Sequence, residues 1–174
     1  MFAPLTDGGL HPHAWTCAIR VCSAYEARQH GQAWGTTHLL SIRQPAIKLR
    51  TMQGIPEDRH LALLFDDVED EDEGRAPTPE HVAAVCAWTD GLPADARLLI
   101  HCMQGVHRSA AIGLGLLARY LTPERAGAVL HGLRPVAEPN KLMVSQWDAA
   151  LGHDGALNRI ARRFPCRTWK GKDG

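Results

Sequence analysis

The amino-acid sequence predicts an α/β fold in which helices flank a central, mainly parallel sheet. Short apolar runs typical of strands alternate along the chain with stretches of helical periodicity. In addition, residues 109–121 form a helical pattern with small and aliphatic residues on every face, which belongs in the middle of a domain. Residues 1–174 are predicted to form a single domain, with a core over about residues 17–151 and a basic tail from about residue 158.

The first three strands are predicted at residues 17–22, 37–42 and 60–65 from their apolar and β-branched residues. Ser23 follows the first strand and is the expected cap of a short helix. The third strand is continuously apolar, which predicts a strand covered on both faces. It leads directly into an acidic run over residues 66–73, whose simplest interpretation is a solvated surface loop.

The second half of the chain continues the alternation. A helix begins at Thr78, whose hydroxyl is the expected cap, with a proline at the first helical position. Its positions i, i+3, i+4 and i+7 predict one buried stripe, formed by Val82, Val85, Cys86 and Thr89. A fourth strand at 97–101 precedes the apolar helix of residues 109–121. Two further helices begin at Thr122 and near Asn140, as an α/β layer fold requires.

Composition excludes several function classes. The chain has 19 basic and 19 acidic residues, so it lacks the positive field that drives most nucleic-acid binding. The longest run without a polar side chain is nine residues, 110–118, whereas a membrane span needs about 20. The first residues show no signal-peptide pattern. We therefore expect a cytoplasmic protein that binds neither nucleic acid nor membrane.

The five cysteines form an odd set, with no C-x-x-C pair and no spacing suited to zinc. They lie at positions 17, 22, 86, 102 and 166. Reduced thiols are expected, four of them acting as small core hydrophobes. The sequence thus predicts neither a metal nor a cofactor.

The remaining cysteine, Cys102, lies in a different environment. The fourth strand delivers it into a loop that ends where the next helix begins at Ser109, so loop amides and the positive end of the helix point at one place. This arrangement binds anions and favours the thiolate form of a cysteine. Arg108 adds a planar fork of donors that matches two oxygens of a phosphate, and Gly105 lets the backbone approach a ligand closely.

The segment His101-Cys102-x5-Arg108-Ser109 resembles the signature loop of the cysteine-based protein tyrosine phosphatase superfamily, most closely its compact dual-specificity-like members. Two further stretches extend the resemblance. Asp66-Asp67, directly after an apolar strand, is similar to the general-acid loop of the family, and Pro139-Asn140 with Gln146 is similar to its last motif. The resemblance covers about residues 17–151. It implies a phosphatase-like α/β fold with the signature loop between a strand and a buried helix.

The resemblance also implies a role for each residue of the loop. Cys102 would be the nucleophile that attacks phosphorus and forms a phosphocysteine. Ser109 would favour the thiolate as it leaves in the second step, and His101 would either support the loop from behind or be an ordinary core histidine. The equatorial phosphate oxygens would be held by Arg108 and by the loop amides of Met103, Gln104, Gly105, Val106, His107 and Arg108.

The leaving-group acid implied by the family is Asp67, the second residue after the apolar strand, with Asp66, Asp70 and Asp72 as neighbouring competitors. Asn140 is expected to be a helix cap near the loop. Gln146 would either orient water for the second step or lie on the surface.

The loop departs from many relatives at two points. His107 stands where many have a small residue, and the loop contains no lysine, which argues against highly charged phosphoinositide substrates.

The sequence therefore predicts a phosphoester hydrolase that uses a cysteine nucleophile, of the protein tyrosine or dual-specificity type. Its partner would be a phosphorylated protein or a small phosphoester. Two alternatives stay open: a rhodanese-type sulfurtransferase, whose loop is typically one residue shorter, and a non-catalytic phosphate-binding module. The basic tail from residue 158 is expected to be either a solvated terminus or a docking segment for an acidic partner.

Overall fold

A computed structural model describes residues 3–4, 18–45 and 52–166 of the chain. Its strands are β1 (Ala3–Pro4), β2 (Ala18–Ser23), β3 (His38–Arg43), β4 (His60–Leu64) and β5 (Arg97–Cys102). Its helices are α1 (Ala24–His30), α2 (Pro79–Asp90), α3 (Arg108–Ala118), α4 (Pro123–Leu133), α5 (Lys141–Leu151) and α6 (Ala156–Ala161), and a 3-10 turn covers Glu57–Arg59. The predicted α/β class is confirmed.

The strands form one sheet in the order β1-β2-β5-β3-β4. Strand β5 pairs in parallel with β2 and β3, β4 pairs in parallel with β3, and the short β1 is antiparallel to β2. The predicted mainly parallel sheet is therefore confirmed. Because β5 is the central strand, Cys102 at its end lies at the carboxyl edge of the sheet, where ligands bind in open α/β sheets.

The prediction that the third strand is covered on both faces is wrong. Strand β4 lies at the end of the sheet, where Leu61 and Ala62 are half-buried and Leu64 is 47% exposed. The apolar run instead ends in Phe65, which follows the strand and is completely buried. This buried ring fixes the point at which the acidic segment leaves the sheet.

Two predicted helix starts are confirmed. Ser23 and Glu26 form a reciprocal capping box at the start of α1. Thr78 is the N-cap residue of α2, with Pro79 at the first helical position, but the helix is capped through the Thr78 amide, which donates to His81 Nδ1, rather than through the predicted hydroxyl. Along α2 the predicted stripe is buried at three of its four positions, and the fourth, Cys86, is half-buried.

Helix α3 is buried on every face, as predicted, although it ends at Ala118 rather than at residue 121. It packs against the sheet on one side and against α4 and α5 on the other. At Gly115 any side chain would overlap the ring of Trp147, so the absent side chain lets α5 approach closely. The start of α3 is thereby held firmly under the end of β5.

The C-terminal segment corrects a prediction. Leu157, Ile160 and Phe164 are buried in the main core cluster, so residues 158–164 are not a solvated terminus. The buried carboxylate of Asp148 accepts hydrogen bonds from the amides of Gly155, Leu157 and Asn158 and fixes the start of α6. Apolar residues at helical spacing between the basic ones explain the difference. Residues 167–174, the remainder of the predicted tail, lie outside the described residues.

The described cysteines lie in unequal surroundings. Cys22 is buried, and burial raises its pKa to about 12, so it is a protonated core residue as expected. Cys86 is half-buried and packs against the main core cluster. Cys166 is only half-buried, which corrects the prediction for that residue, and Cys17 lies outside the described residues. None of the described helices combines the length and apolar character that a membrane crossing requires.

Candidate active site

The loop between β5 and α3, residues 102–108, is the signature loop predicted from the sequence. The Cys102 thiol is buried at its base, with Sγ 3.3 Å from Ser109 Oγ, and it accepts a hydrogen bond of 3.2 Å from the Gly105 amide. A cavity of about 210 Å³ opens above the thiol. Its lining consists of Gln44, Asp67, Cys102, Met103, Gln104, His107 and Arg108.

The backbone carbonyls of residues 103–107 in the signature loop all accept hydrogen bonds from groups outside the loop. The Met103 carbonyl accepts a hydrogen bond from the Ala24 amide, and the carbonyls of Gln104 and Gly105 accept hydrogen bonds from the Arg134 side chain. The Val106 carbonyl accepts a hydrogen bond from the Glu138 amide, and the His107 carbonyl accepts hydrogen bonds from the amides of Ala111 and Asn140. In a trans peptide the N–H points opposite to the C=O. Outward carbonyls therefore turn the following amides inward, and the Gly105 amide reaches Sγ in this way. An inward ring of amides is an anion site.

Gly105 is required by both conformation and space. Its φ of +71° lies in the left-handed region, which L side chains rarely adopt. A Cβ at this position would also overlap the backbone of Cys22 and Ser23 at the end of β2. The signature loop thus rests directly on the neighbouring strand.

Arg108, the first residue of α3, is almost completely buried. Its Nη1 donates to the carbonyl of Phe65 at 3.1 Å, and its Nε lies 3.8 Å from Asp67 Oδ2. The guanidinium is thereby fixed between the signature loop and the end of β4. A buried charge held in one orientation is suited to bind an oxyanion without reorganising.

The four candidate acids occupy different places in the acidic loop, residues 66–77, and Asp72 is exposed. Asp67 lines the cavity. The Asp66 carboxylate accepts from the Arg75 amide at 3.1 Å, which closes the loop upon itself. Asp70 is exposed and accepts from the amide of Asp72. Of these side chains, that of Asp67 is the one beside the thiol.

Both carboxylate oxygens of Asp67 are bound. Oδ2 is 2.8 Å from His107 Nδ1, and Oδ1 accepts from Asn140 Nδ2 at 3.1 Å. Asn140 also donates to the Val68 carbonyl and accepts from the Met143 amide, so it is the predicted cap of α5 and holds the acidic loop in addition. That second contact was not predicted, because no local pattern links position 140 to position 67.

The two remaining predicted residues, His101 and Gln146, are not among those that line the cavity. His101 is fully buried behind the loop, with Nδ1 3.4 Å from the Cys102 carbonyl, and burial lowers its pKa to about 4, so it is neutral at pH 7. Gln146 donates to the carbonyl of Pro77, at the far end of the acidic loop.

Arg134 was not predicted from the sequence. It donates from Nε to the Gly105 carbonyl and from Nη2 to the Gln104 carbonyl, and Nη1 is 2.8 Å from Glu26 Oε1. Burial opposes ionisation of Glu26, but bonds from Ser23 and Arg134 outweigh it and lower the Glu26 pKa. The capping box signals Glu26 in the sequence, whereas nothing local connects Arg134 with a loop 30 residues earlier.

No protein-family model matches the sequence, and no match is found among curated proteins. Solved structures do match. Human DUSP28 is 22% identical over 90% of this chain and 99% of its own, with a TM-score of 0.62. The human tyrosine phosphatase-like serine/threonine/tyrosine-interacting protein is 22% identical over 78% of this chain and 92% of its own, with a TM-score of 0.61. A mouse putative dual specificity phosphatase is 23% identical over 83% of this chain and 86% of its own, with a TM-score of 0.56. The chain therefore has the fold of the compact dual-specificity members of the cysteine-based protein tyrosine phosphatase superfamily.

Proposed function

We propose that the protein is a cysteine-dependent phosphoester hydrolase of the protein tyrosine or dual-specificity type. One observation carries the proposal: the Cys102 thiol, the Arg108 guanidinium and the Asp67 carboxylate line the same cavity. A nucleophile, a fixed cation and an acid around one small space are the parts that phosphoryl transfer to a thiol needs. The fold shared with dual-specificity phosphatases supports a phosphorylated protein as substrate.

In the first step, Cys102 Sγ attacks phosphorus, so that a P–S bond forms and the bond to the leaving oxygen breaks. Asp67, protonated at the start of this step, gives its proton to that oxygen. Arg108 and the inward loop amides hold the equatorial oxygens and stabilise the charge that develops on them.

In the second step, water attacks the phosphocysteine and Asp67, now a carboxylate, takes a proton from it. The P–S bond breaks and Cys102 leaves as thiolate. The Ser109 hydroxyl, 3.3 Å from Sγ, donates a hydrogen bond that stabilises this thiolate. Inorganic phosphate is released, and the enzyme returns to its starting form.

Sulfur transfer is the competing reaction for a cysteine loop of this kind. The position of Asp67 favours phosphoester hydrolysis, because an alkoxide or phenolate needs a proton to leave and sulfite does not. A non-catalytic phosphate-binding module would need neither the thiol nor the acid in the cavity.

The proposal is tested by hydrolysis of p-nitrophenyl phosphate in the presence of EDTA. We expect turnover by the intact protein, none by Cys102→Ser, and full turnover by the matched control Cys86→Ser, whose half-buried thiol lies on α2. Acid quenching during turnover should trap one phosphate on the peptide that contains Cys102. The proposal would be overturned if Cys102→Ser turned over the substrate, or if the intact protein lost its activity in EDTA. Transfer of sulfur from thiosulfate to cyanide would favour the sulfurtransferase instead.

A further inference from the structure

We infer that His107 is a positioning residue for Asp67, holding the leaving-group acid over the signature loop through a hydrogen bond from Nδ1 to Oδ2. The inference rests on the proposed function, because it assigns His107 a task in the same reaction. The sequence marks His107 as unusual only in size, whereas the structure joins it directly to the acid.

The backbone of His107 provides a rigid base for the ring. Its carbonyl accepts hydrogen bonds from the amides of Ala111 at 2.9 Å and Asn140 at 3.2 Å, which tie it to α3 and to the start of α5. His107 is the N-cap residue of α3, but its side chain forms no capping bond with the helix. The imidazole is therefore available to the acidic loop, which it reaches across the cavity.

The three groups near the Asp67 carboxylate come from fixed elements. His107 Nδ1 lies 2.8 Å from Oδ2, Asn140 Nδ2 lies 3.1 Å from Oδ1, and Arg108 Nε lies 3.8 Å from Oδ2. The Asp67 side chain is still 28% exposed, so burial does not hold it in place. The His107 contact is the shortest of the three and is made by a residue of the signature loop itself. It thus links the position of the acid to the position of the phosphate.

Three charged groups face the His107 ring. Asp67 approaches from the acidic loop, Arg108 follows it at the start of α3, and Glu138 Oε2 lies 3.9 Å from Nε2, beyond hydrogen-bond distance. A donor at Nδ1 holds the Asp67 carboxylate over the signature loop, where it acts on the leaving oxygen in the first step and on water in the second.

Three substitutions at position 107 separate the position of the donor from the presence of a ring. The amide nitrogen of Asn lies near the place of Nδ1, and that of Gln near the place of Nε2. We expect His107→Ala to lower kcat on an alkyl phosphate about tenfold, as for a lost charge-assisted hydrogen bond. On p-nitrophenyl phosphate the loss should be about twofold or less, because nitrophenolate needs little acid. His107→Asn should restore most of the activity and His107→Gln should not.

Two measurements distinguish positioning of the acid from support of the signature loop. His107→Ala should keep the wild-type rate of Cys102 alkylation and its protection by vanadate, because the nucleophile is untouched. Added to Asp67→Asn, it should cause no further loss, since the two residues act as a unit. Glu138→Gln is the matched control and should keep the wild-type kcat, because its carboxylate lies beyond hydrogen-bond distance of Nε2.

Nitrogen-15 NMR of the His107 ring tests the contact without any turnover. A bond to the carboxylate requires the hydrogen on Nδ1 in the neutral ring, and Asp67→Ala should return it to Nε2. Absence of hydrolysis by the wild type would overturn the proposed function, while the tautomer would still report on the contact. The inference is overturned by an Nε2–H ring in the wild type, by equal losses for all leaving groups with slower alkylation, or by additive losses in the double variant.

Discussion

The signature loop and the acidic loop meet at one cavity but are held in opposite ways. The signature loop is anchored by its backbone: its carbonyls are bound by surrounding groups, and Cys102 and Arg108 are buried. The acidic loop is largely exposed and reaches its neighbours mainly through side chains, as in the 3.3 Å ion pair of Glu69 with Lys141. The place of the nucleophile is therefore set by hydrogen bonds along the backbone of a buried loop, whereas the place of the acid depends on a few side-chain contacts.

Among the substitutions that test this difference between the two loops, replacing the acid should have the largest effect on kcat. Asp67→Asn is expected to lower kcat on alkyl phosphates by about 10²–10⁴-fold, the usual contribution of a general acid, and to remove the basic limb of the pH–rate profile. The loss on p-nitrophenyl phosphate should be much smaller. The matched control is Asp66→Asn, whose carboxylate binds the Arg75 amide instead of facing the cavity. If Asp66→Asn shows the leaving-group dependence and Asp67→Asn does not, the acid has been assigned to the wrong neighbour.

The same contrast explains what could be predicted from the sequence. The strand, loop and helix that contain Cys102 and Arg108 are contiguous, so spacing alone locates them. The choice among Asp66, Asp67 and Asp70 stayed open because it depends on long-range contacts.

Edges and distant partners explain the other differences between prediction and structure. The apolar run of β4 indicates a strand but not its place at the end of the sheet. Arg134 binds the signature loop because the chain returns there after two helices, and no local pattern in the sequence indicates this contact. The burial of Leu157 and Phe164 was likewise concealed by the basic residues between them.

His101, which is buried behind the signature loop, should make the free energy of unfolding depend on pH. Burial holds the pKa of His101 at about 4, below the ordinary value of 6.5, so between these values the unfolded chain binds the proton more tightly. The contribution of His101 to the free energy of unfolding is therefore fully present above about pH 6.5, falls as the pH is lowered towards 4, and is lost below that pH. The His101 contribution is on the order of 3 kcal/mol. Burial lowers the pKa of His38, His60 and His81 in the same direction.

Urea unfolding across this pH range measures the effect. His101→Asn should reduce the slope of the unfolding free energy against pH by up to about one proton, and the other histidines should leave a residual slope. An unchanged slope in His101→Asn would mean that His101 is not the group that resists protonation.

Arg108→Lys tests whether the orientation of the buried cation matters. Lysine keeps the charge but loses the fork that binds the Phe65 carbonyl while facing the cavity. We expect kcat/KM to fall by more than about tenfold, corresponding to about 1.5–3 kcal/mol, for good and poor leaving groups alike. That uniform loss would distinguish the signature loop from the acidic loop. A lysine variant with near-normal kinetics would show that position 108 only contributes positive charge.

The smallest effect on activity is expected from substitution of Arg134, which binds the backbone of the signature loop from the end of α4. Arg134→Met keeps the aliphatic length but removes the donors to the Gln104 and Gly105 carbonyls, and it leaves Glu26 without its cation. The amides that follow those carbonyls should then point less firmly at Sγ, so we expect kcat/KM to fall about tenfold or less for all leaving groups, with slower alkylation of Cys102.

Glu26→Gln is the matched variant for this anchor. It removes the charge beside Arg134 but leaves the guanidinium bonds to the loop carbonyls possible, so its effect should be smaller than that of Arg134→Met. Both variants should differ from His107→Ala, which leaves alkylation of Cys102 unchanged and affects poor leaving groups alone. If Arg134→Met instead slows only the reactions that need an acid, the two loops are not held independently, because loosening the backbone of one would then displace the carboxylate of the other.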